Sequence, residues 1–244
     1  MTNADLRQTG LQTNESLDVR VAVTHSAAAL AGVENGVFYH DPVMLKECLD
    51  ALVIKPNGTY GDCTLGGGGH SYAIAGRLDE NGTLHAFDRD EEAVAFATRR
   101  LAGVKCKFVV HPVRFGELKN EIAPNSLDGI LYDLGISSHQ VDDSARGFTF
   151  VGDSPLDLRM DRREGVSAQQ WLKRVDADTL AAALRKNADM DRAFKLATRL
   201  VEMAITAESR DILPSDVKAC VEAVFPDKRR EVNGLLRSEE HTSE

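Results

Sequence analysis

The sequence lacks any apolar run near the roughly 18 residues that a membrane-spanning helix needs. Residues 1–20 also lack the apolar core of a secretory signal peptide. Both absences predict a cytoplasmic protein with no membrane partner. The four cysteines include no Cys-x-x-Cys pair, which argues against a zinc knuckle and a disulfide framework. We therefore expect no metal, and we expect buried thiols at Cys48, Cys63, Cys106 and Cys220.

Positive charge is also scarce, because 29 Lys and Arg stand against 38 Asp and Glu, for a net charge of −9. The average surface therefore repels phosphate, and any contact with nucleic acid must come from a local basic patch. This balance argues against a DNA-coating protein. The 244 residues, 43% of them hydrophobic, suffice for one large domain or for one domain with an inserted lobe.

Residues 37–140 alternate apolar strands with helical segments. The strands are expected near residues 59–64, 83–87, 107–110 and 128–134, and Asp41 with Pro42 predicts the start of a first helix. This alternation is typical of an α/β fold with a parallel, doubly wound sheet. Residues 1–36 are polar without a sustained period, so we expect a flexible N-terminal extension.

Residues 141–230 predict a helical lobe with segments near 167–174, 179–205 and 215–225. A break in the longest segment is expected near Asn187. Residues 231–244 form a tail. Its last part, residues 237–244 (RSEEHTSE), coincides with the translation of a common sequencing-library adapter. We therefore expect a truncated reading frame with a non-biological end.

A loop of four consecutive glycines, residues 66–69, follows the first of these strands. Such a loop lets the backbone approach a ligand closely, although the dinucleotide pattern G-x-G-x-x-G fits it imperfectly. Asp88 closes the second strand, where a carboxylate accepts hydrogen bonds from a ribose; the alternative is a helix cap or a solvated carboxylate. Asp62 precedes the loop and either offsets the charge of a sulfonium ligand or binds the loop amides.

Asp133 leaves the fourth strand at its ligand-facing end and begins the segment DLGISSHQ. In a methyl-transferring α/β fold, Asp133 and nearby carbonyl groups would orient the incoming nucleophile. The neighbouring Ser137, Ser138 and His139 suggest a hydrolase, but adjacent loop residues seldom form such a pair and no G-x-S-x-G elbow is present.

Several ordered motifs between about residue 39 and residue 172 carry a family resemblance. They are HDPV (40–43), DCTLGGGGHS (62–71), FDRD (87–90), LYDLGISSHQ (131–140), RGFTF (146–150) and PLDLRMD (155–161). Together they resemble the bacterial 16S ribosomal RNA cytosine-N4 methyltransferases of the MraW (RsmH) family. After residue 172 the likeness weakens, and the family's final strands have no counterpart here.

The resemblance implies a Rossmann-like S-adenosylmethionine-dependent methyltransferase domain with a helical insertion lobe. It implies methylation of the N4 amine of a cytidine in the decoding region of 16S ribosomal RNA, with the small ribosomal subunit as partner; a homodimer stays open. The implied cofactor contacts are Gly68, Gly69, His70, Asp88, Phe115, Asp133 and Gln140. Two alternatives are core packing for Phe115 and a purely backbone contribution from His70.

Within the resemblance, Asp133 is the candidate catalytic residue, because it can accept the hydrogens of the cytosine amine. Phe148, Phe150 and Met160 are candidate walls of a base pocket. Arg146 and Arg159, with Arg162 and Arg163, would supply the basic patch, unless they pair with neighbouring aspartates. Rival functions are a non-catalytic RNA-binding or assembly module and an NAD-dependent oxidoreductase.

Overall fold

The chain divides into two compact units, Met1–Ser137 and Ser138–Glu244. The computed structural model describes residues 20–25, 31–34, 37–40, 42–150, 152–188 and 190–226. The sequence places the boundary between the cofactor domain and the helical lobe a few residues later, after residue 140. The expectations for residues 1–19 and for the tail at 231–244 fall outside the described residues.

The first unit is built on a parallel sheet. The strands of this unit are β1 (Arg20–His25), β2 (Ala31–Glu34), β3 (Val37–His40), β4 (Thr59–Asp62), β5 (Thr83–Phe87), β6 (Lys107–His111) and β7 (Gly129–Leu134). The sheet has the order β1-β7-β4-β5-β6 and every pair in it is parallel. Strands β2 and β3 form an antiparallel pair apart from it. The α/β class and the four predicted strands are confirmed.

The N-terminal region differs from the flexible extension that the sequence predicts. Residues 20–25 form β1, which pairs with β7 from Arg20↔Gly129 to His25↔Leu134, and residues 31–34 form β2. The apolar run from Val21 to Val23 is too short to give a measurable period. Its strand state is set by pairing with β7, which lies more than a hundred residues away in sequence.

The helices of the first unit are α1 (Leu45–Leu52), α2 (Gly69–Ala75), α3 (Glu91–Arg100) and α4 (Leu118–Glu121). Helix α1 begins later than Pro42, because Met44 has a left-handed φ of 53°. Asp90 caps α3, and its carboxylate accepts the backbone N–H of Glu92 at 3.1 Å. Apolar side chains of these helices and of the sheet, among them Leu52, Ile74 and Leu84, form the buried core.

The second unit is helical, with α5 (Ser138–Asp142), α6 (Ala168–Leu172), α7 (Ala177–Ala188), α8 (Ala193–Thr206) and α9 (Pro214–Val224). The predicted break near Asn187 is confirmed, since it separates α7 from α8. Leu196, Leu200 and Ile212 lie in the core of this unit. Phe194 and Ile205 of α8 lie outside this core, because they are 50% and 67% exposed.

All four cysteines are buried and free, as expected. Burial raises the pKa of the Cys48 and Cys63 thiols to about 12. These two thiols are therefore protonated and unreactive at neutral pH. Within the described residues, no helix is both long and apolar enough to cross a bilayer.

Candidate active site

Three aspartates mark the carboxyl ends of neighbouring strands in the first unit. Asp62 ends β4, Asp88 follows β5, and Asp133 is the penultimate residue of β7. Strand β4 lies between β5 and β7. The chain therefore runs from β4 to β5 on one side of β4 and later returns to β7 on its other side. Open parallel sheets bind their ligands at such a switch point, outside the carboxyl ends of the strands.

The glycine loop is shaped mainly by contacts within the chain. Gly66 and Gly68 have left-handed φ values of 47° and 74°. A Cβ on Gly68 would lie 3.1 Å from the Cβ of Ala97, and one on Gly69 would lie 2.5 Å from Cγ of Pro42. The predicted cofactor glycines Gly68 and Gly69 are therefore required for packing, and they offer a ligand only their backbone.

The open side of the loop lies at Gly66 and Gly67. A Cβ added to Gly67 would find its nearest neighbour, Phe96, at 3.9 Å, and one on Gly66 would find the Thr64 carbonyl at 3.8 Å. The guanidinium of Arg100 donates to the Gly67 carbonyl at 2.8 Å and fixes the loop to α3. These two glycines are the positions where a ligand can approach the backbone.

Asp88 is tied to the loop by both carboxylate oxygens. Oδ2 accepts the N–H of Gly66 at 2.8 Å, and Oδ1 accepts the N–H of Asp90 at 2.9 Å. Burial raises the pKa of this carboxyl above its ordinary value. Asp88 thus fixes the shape of the loop, whereas the helix cap, which was one alternative for Asp88, is Asp90. Each oxygen still keeps a lone pair for a ligand hydroxyl.

Asp62 is fully buried at the base of the loop. Oδ2 accepts the Ser71 hydroxyl at 2.6 Å, and Oδ1 accepts the N–H of Thr64 at 3.1 Å. Burial raises its pKa, and the nearby Asp133 carboxylate acts in the same direction. Ser71 and Thr64 were not predicted as site residues, because a hydroxyl on either side of a glycine run gives no signal of its own.

His70 and Asp133, predicted separately, lie side by side. Nδ1 of His70 is 3.6 Å from Oδ2 of Asp133, and Nε2 is 3.1 Å from the Val43 carbonyl oxygen. His70 is buried and the Asp133 side chain is 19% exposed. The Asp133 N–H donates to Oγ1 of Thr64 at 2.8 Å, which ties the end of β7 to the start of the loop. Val43 was a position that the sequence analysis did not assign to the site.

Phe115 lies on a short 3-10 turn, Phe115–Glu117, outside the core. Its ring is 44% exposed and meets the Tyr132 ring edge-on at 5.6 Å. The core-packing alternative for Phe115 is therefore wrong. Gln140 belongs to α5 in the second unit, where its side chain is buried.

Two arginines of the predicted basic patch are engaged within the second unit. Arg146 is 1% exposed, and its Nη2 donates to the carbonyls of Arg159 and Met160, each at 3.1 Å. Arg159 donates to both carboxylate oxygens of Asp157, at 2.7 and 3.0 Å. Burial removes Arg146 from any phosphate, and pairing with Asp157 neutralises Arg159, so the salt-bridge alternative holds for Arg159.

The candidate base-pocket residues lie on the same segment of the second unit. Phe150 is 42% exposed, while Phe148 and Met160 are half-buried. The segment folds back on itself, since the Leu158 N–H donates to the Arg146 carbonyl at 3.0 Å. A Cβ on Gly147, whose φ is 75°, would lie 2.6 Å from the Asp157 nitrogen. That close approach explains why a glycine stands there.

Residues 37–237 match the sequence profile of the MraW methylase family. The chain belongs to the MraW methylase family. It is 42% identical over 194 residues to a protein named ribosomal RNA small subunit methyltransferase H from Dichelobacter nodosus, covering 78% of this chain and 61% of that protein. Proteins of the same name match at 43% over 167 residues in Chromobacterium violaceum and at 36% over 203 residues in Clostridioides difficile.

This MraW-family chain spans between about half and two thirds of those relatives, since it covers 52% of the Chromobacterium protein and 65% of the Clostridioides protein. The two alignments include 67% and 79% of the residues of this chain. Its carboxylates Asp62, Asp88 and Asp133 at the strand ends fit S-adenosylmethionine, because they suit a cation that carries a ribose diol and disfavour a pyrophosphate.

Proposed function

We propose that this MraW-family chain transfers a methyl group from S-adenosylmethionine to the N4 amine of a cytidine in small-subunit ribosomal RNA. The observation that carries the proposal is the meeting of the glycine loop with Asp88, Asp133 and His70 at the switch point of the sheet. The family match and the names of the relatives support the reaction class and the RNA. A cytoplasmic location follows from a ribosomal substrate, and a homodimer is an open proposal.

S-adenosylmethionine supplies a methyl group activated by a positively charged sulfur. The chain's part is to bind and orient: the free lone pairs of Asp88 accept ribose hydroxyls, and the backbone at Gly66 and Gly67 admits the ligand. The exposed ring of Phe115 offers a flat apolar contact. Gln140 stays a proposed contact. Alignment of the reacting atoms accounts for several kcal/mol of the barrier in such reactions.

Asp133 is the proposed acceptor for the hydrogens of the cytosine amine. The lone pair of that amine is delocalised into the ring, so a carboxylate that accepts its hydrogens favours the pyramidal nitrogen that attack requires. The side chain of Asp133 is partly exposed, while its backbone N–H is held by Thr64. A base must leave its stack to reach this position, at least cost in single-stranded or loop RNA.

His70 is the proposed store for the proton that the amine releases. The Val43 carbonyl can only accept, so Nε2 carries the hydrogen and the lone pair of the neutral ring lies on Nδ1. Nδ1 faces Asp133 at 3.6 Å, too far for a direct hydrogen bond and close enough for an ion pair once it is protonated. The proton can thus pass from the amine to Asp133 and then to His70.

Two measurements test the function. Calorimetry of the chain with S-adenosylhomocysteine and with NAD should give binding to the first alone. Incubation with labelled S-adenosylmethionine and small-subunit RNA, followed by mass mapping, should yield N4-methylcytidine. Asp133→Asn should abolish the label, whereas Asp50→Asn, an equal charge change at an exposed position of α1, should not. Preference for NAD, or label at another atom, would overturn the proposal.

A further inference from the structure

A polar cavity lies within the second unit, apart from the glycine loop. Its volume is about 320 Å³, and its lining comes from the segment around Pro155 and from the start of α6. The polar and charged lining residues are Ser154, Asp157, Arg159, Arg162, Ser167, Gln169 and Gln170. Two arginines against one aspartate make the lining positive, in contrast to the net charge of −9 for the chain.

The carboxylate and amide oxygens of this lining each accept at least one hydrogen bond. Both oxygens of Asp157 accept from Arg159, at 2.7 and 3.0 Å. The Ser167 hydroxyl accepts the N–H of Gln170, and Oε1 of Gln170 accepts the N–H of Ser167 at 3.0 Å, which together form a capping box for α6. Oε1 of Gln169 accepts the N–H of Ile212 at 3.2 Å.

Several hydrogen-bond donors of the lining make no hydrogen bond to the residues that the structure describes. Because each glutamine uses its Oε1 atom on a backbone N–H, the Nε2 groups of Gln169 and Gln170 remain to donate. Arg162 lies 3.6 Å through Nε from Asp157, its side chain is 46% exposed, and its Nη1 and Nη2 meet no acceptor among the residues that the structure describes. These donors, one of them charged, suit a ligand that accepts hydrogen bonds and carries negative charge.

We infer that this cavity binds a backbone phosphate of the RNA substrate, with Arg162, Gln169 and Gln170 as donors. The inference rests on the proposed function, since that function supplies the RNA. A phosphodiester carries one negative charge and only acceptor oxygens, which matches the leftover donors. Such contacts position a nucleic acid without reading its sequence. Arg162 therefore takes the role that the sequence suggested for Arg146 and Arg159.

Two substitutions test the cavity in the full 244-residue chain. Arg162→Ala removes the charged donor. Gln170→Glu keeps an oxygen for the capping box and places a negative charge in the cavity. Each should weaken binding of a short single-stranded small-subunit RNA about tenfold. Arg162→Ala should also lower the slope of log affinity against log salt by about 0.7, the value for one phosphate on a single strand.

The matched control is Arg185→Ala, which removes the same charge from an exposed position of α7 outside the cavity. It should leave both the affinity and the salt slope unchanged. Circular dichroism and thermal unfolding of each variant check that the fold is kept. Binding is measured without methyl transfer, so failure of the cavity and failure of the proposed reaction are separate results.

Inorganic phosphate serves as a second probe and separates an RNA phosphate from a free anion. We expect millimolar phosphate to compete with RNA in the parent chain and to compete less in Arg162→Ala. RNA affinity that is unchanged in both Arg162→Ala and Gln170→Glu would overturn the inference. So would phosphate binding that depends on Arg162 while RNA binding does not, because the cavity would then hold a free anion.

Discussion

His70 shows how a single side chain acquires a chemical role from its two neighbours. The Val43 carbonyl fixes the hydrogen on Nε2 and leaves Nδ1 facing Asp133. The buried Asp62 and Cys48 also lie near this pair, and burial raises the pKa of both groups. Asp133 is therefore the carboxylate that faces Nδ1, and this geometry supports the proposed role of His70.

We expect His70→Gln to lower kcat about a hundredfold at neutral pH, with little change in KM for the cofactor. Gln can still donate to the Val43 carbonyl, but it has no basic nitrogen that could take a proton from Asp133. In the unchanged chain, nitrogen NMR of the His70 ring should show the hydrogen on Nε2 when the ring is neutral.

His85→Gln is the control for this prediction, because His85 contacts His111 and lies outside the His70–Asp133 pair. It should keep the kcat of the unchanged chain. An unaltered kcat in His70→Gln, or a neutral ring with its hydrogen on Nδ1, would contradict the role of His70.

A second prediction at the residue scale concerns the glycine loop. Gly69→Ala should destabilise the first unit by about 1–3 kcal/mol, because the new Cβ would lie 2.5 Å from Cγ of Pro42. Gly67→Ala should change the free energy of unfolding by less than about 0.5 kcal/mol, since its Cβ has 3.9 Å of space. Urea unfolding of both variants measures the difference. Equal losses would mean that the loop packs differently.

At the scale of elements, the carboxyl ends of three strands bring the candidate site residues together. Asp62 and Asp88 accept backbone N–H groups of the glycine loop and its flanks, and the Asp133 N–H donates to the Thr64 hydroxyl oxygen. In the second unit, an aspartate likewise accepts a backbone N–H, here at the start of a helix. Asp216 near the start of α9 accepts the N–H of Leu213 at 2.9 Å and pairs with Arg210 through both oxygens.

Asp216 gives a prediction for the dependence of stability on pH. The Arg210 guanidinium and the Leu213 N–H hold the pKa of Asp216 below its ordinary value in the folded chain. Its contribution to stability is therefore full above the unfolded pKa of about 3.9, and it is lost as the pH falls through the lower folded value.

We expect Asp216→Asn to cost about 1 kcal/mol of unfolding free energy at pH 7, through loss of the charge that pairs with the partly exposed Arg210, since Asn keeps an oxygen for the Leu213 N–H. The loss should shrink in acid, below the folded pKa. Denaturant unfolding at both pH values measures it. Asp50→Asn, whose partner Lys46 is exposed, is the matched surface pair. A cost independent of pH would show that the carboxylate charge contributes nothing.

At the scale of the whole molecule, each of the two units contains a hydrophobic core of its own. The first core is formed by the sheet with α1, α2 and α3, and the second by α6 to α9 with Leu156 and Ile212. Neither core depends on side chains of the other unit for its own buried cluster. The glycine loop lies in the first unit and the polar cavity in the second, so the two can be altered separately.

Ile212→Ala should test the independence of the second core. Ile212 is fully buried, and its truncation should cost about 2–5 kcal/mol. Because the cavity created lies in the second unit, amide hydrogen exchange should speed up in residues 156–224 and stay slow in β4, β5 and β7. Leu84→Ala should give the opposite pattern. Uniform acceleration across the chain in either variant would show a single cooperative unit.

Much of the architecture was predictable because it follows from local patterns of apolar, capping and turn residues. The strands β4 to β7 are short apolar runs between turn residues, and the capped start of α3 is fixed by Asp90. The start of helix α1 was predicted too early, because no local sequence signal indicates the left-handed conformation of Met44. Strand β1 was missed because six residues carry too little periodicity without knowledge of β7.

The amino-acid sequence by itself determined the α/β class, the glycine loop, the aspartates at the strand ends and the family resemblance. These depend on residue type, spacing and order along the chain. Only the tertiary structure decided that His70 faces Asp133, that Arg146 is buried, and that Arg159 is neutralised while Arg162 keeps its donors. The burial, ion pairing and hydrogen-bond partners of a side chain depend on residues that are distant in sequence. They are therefore determined only when the chain has folded.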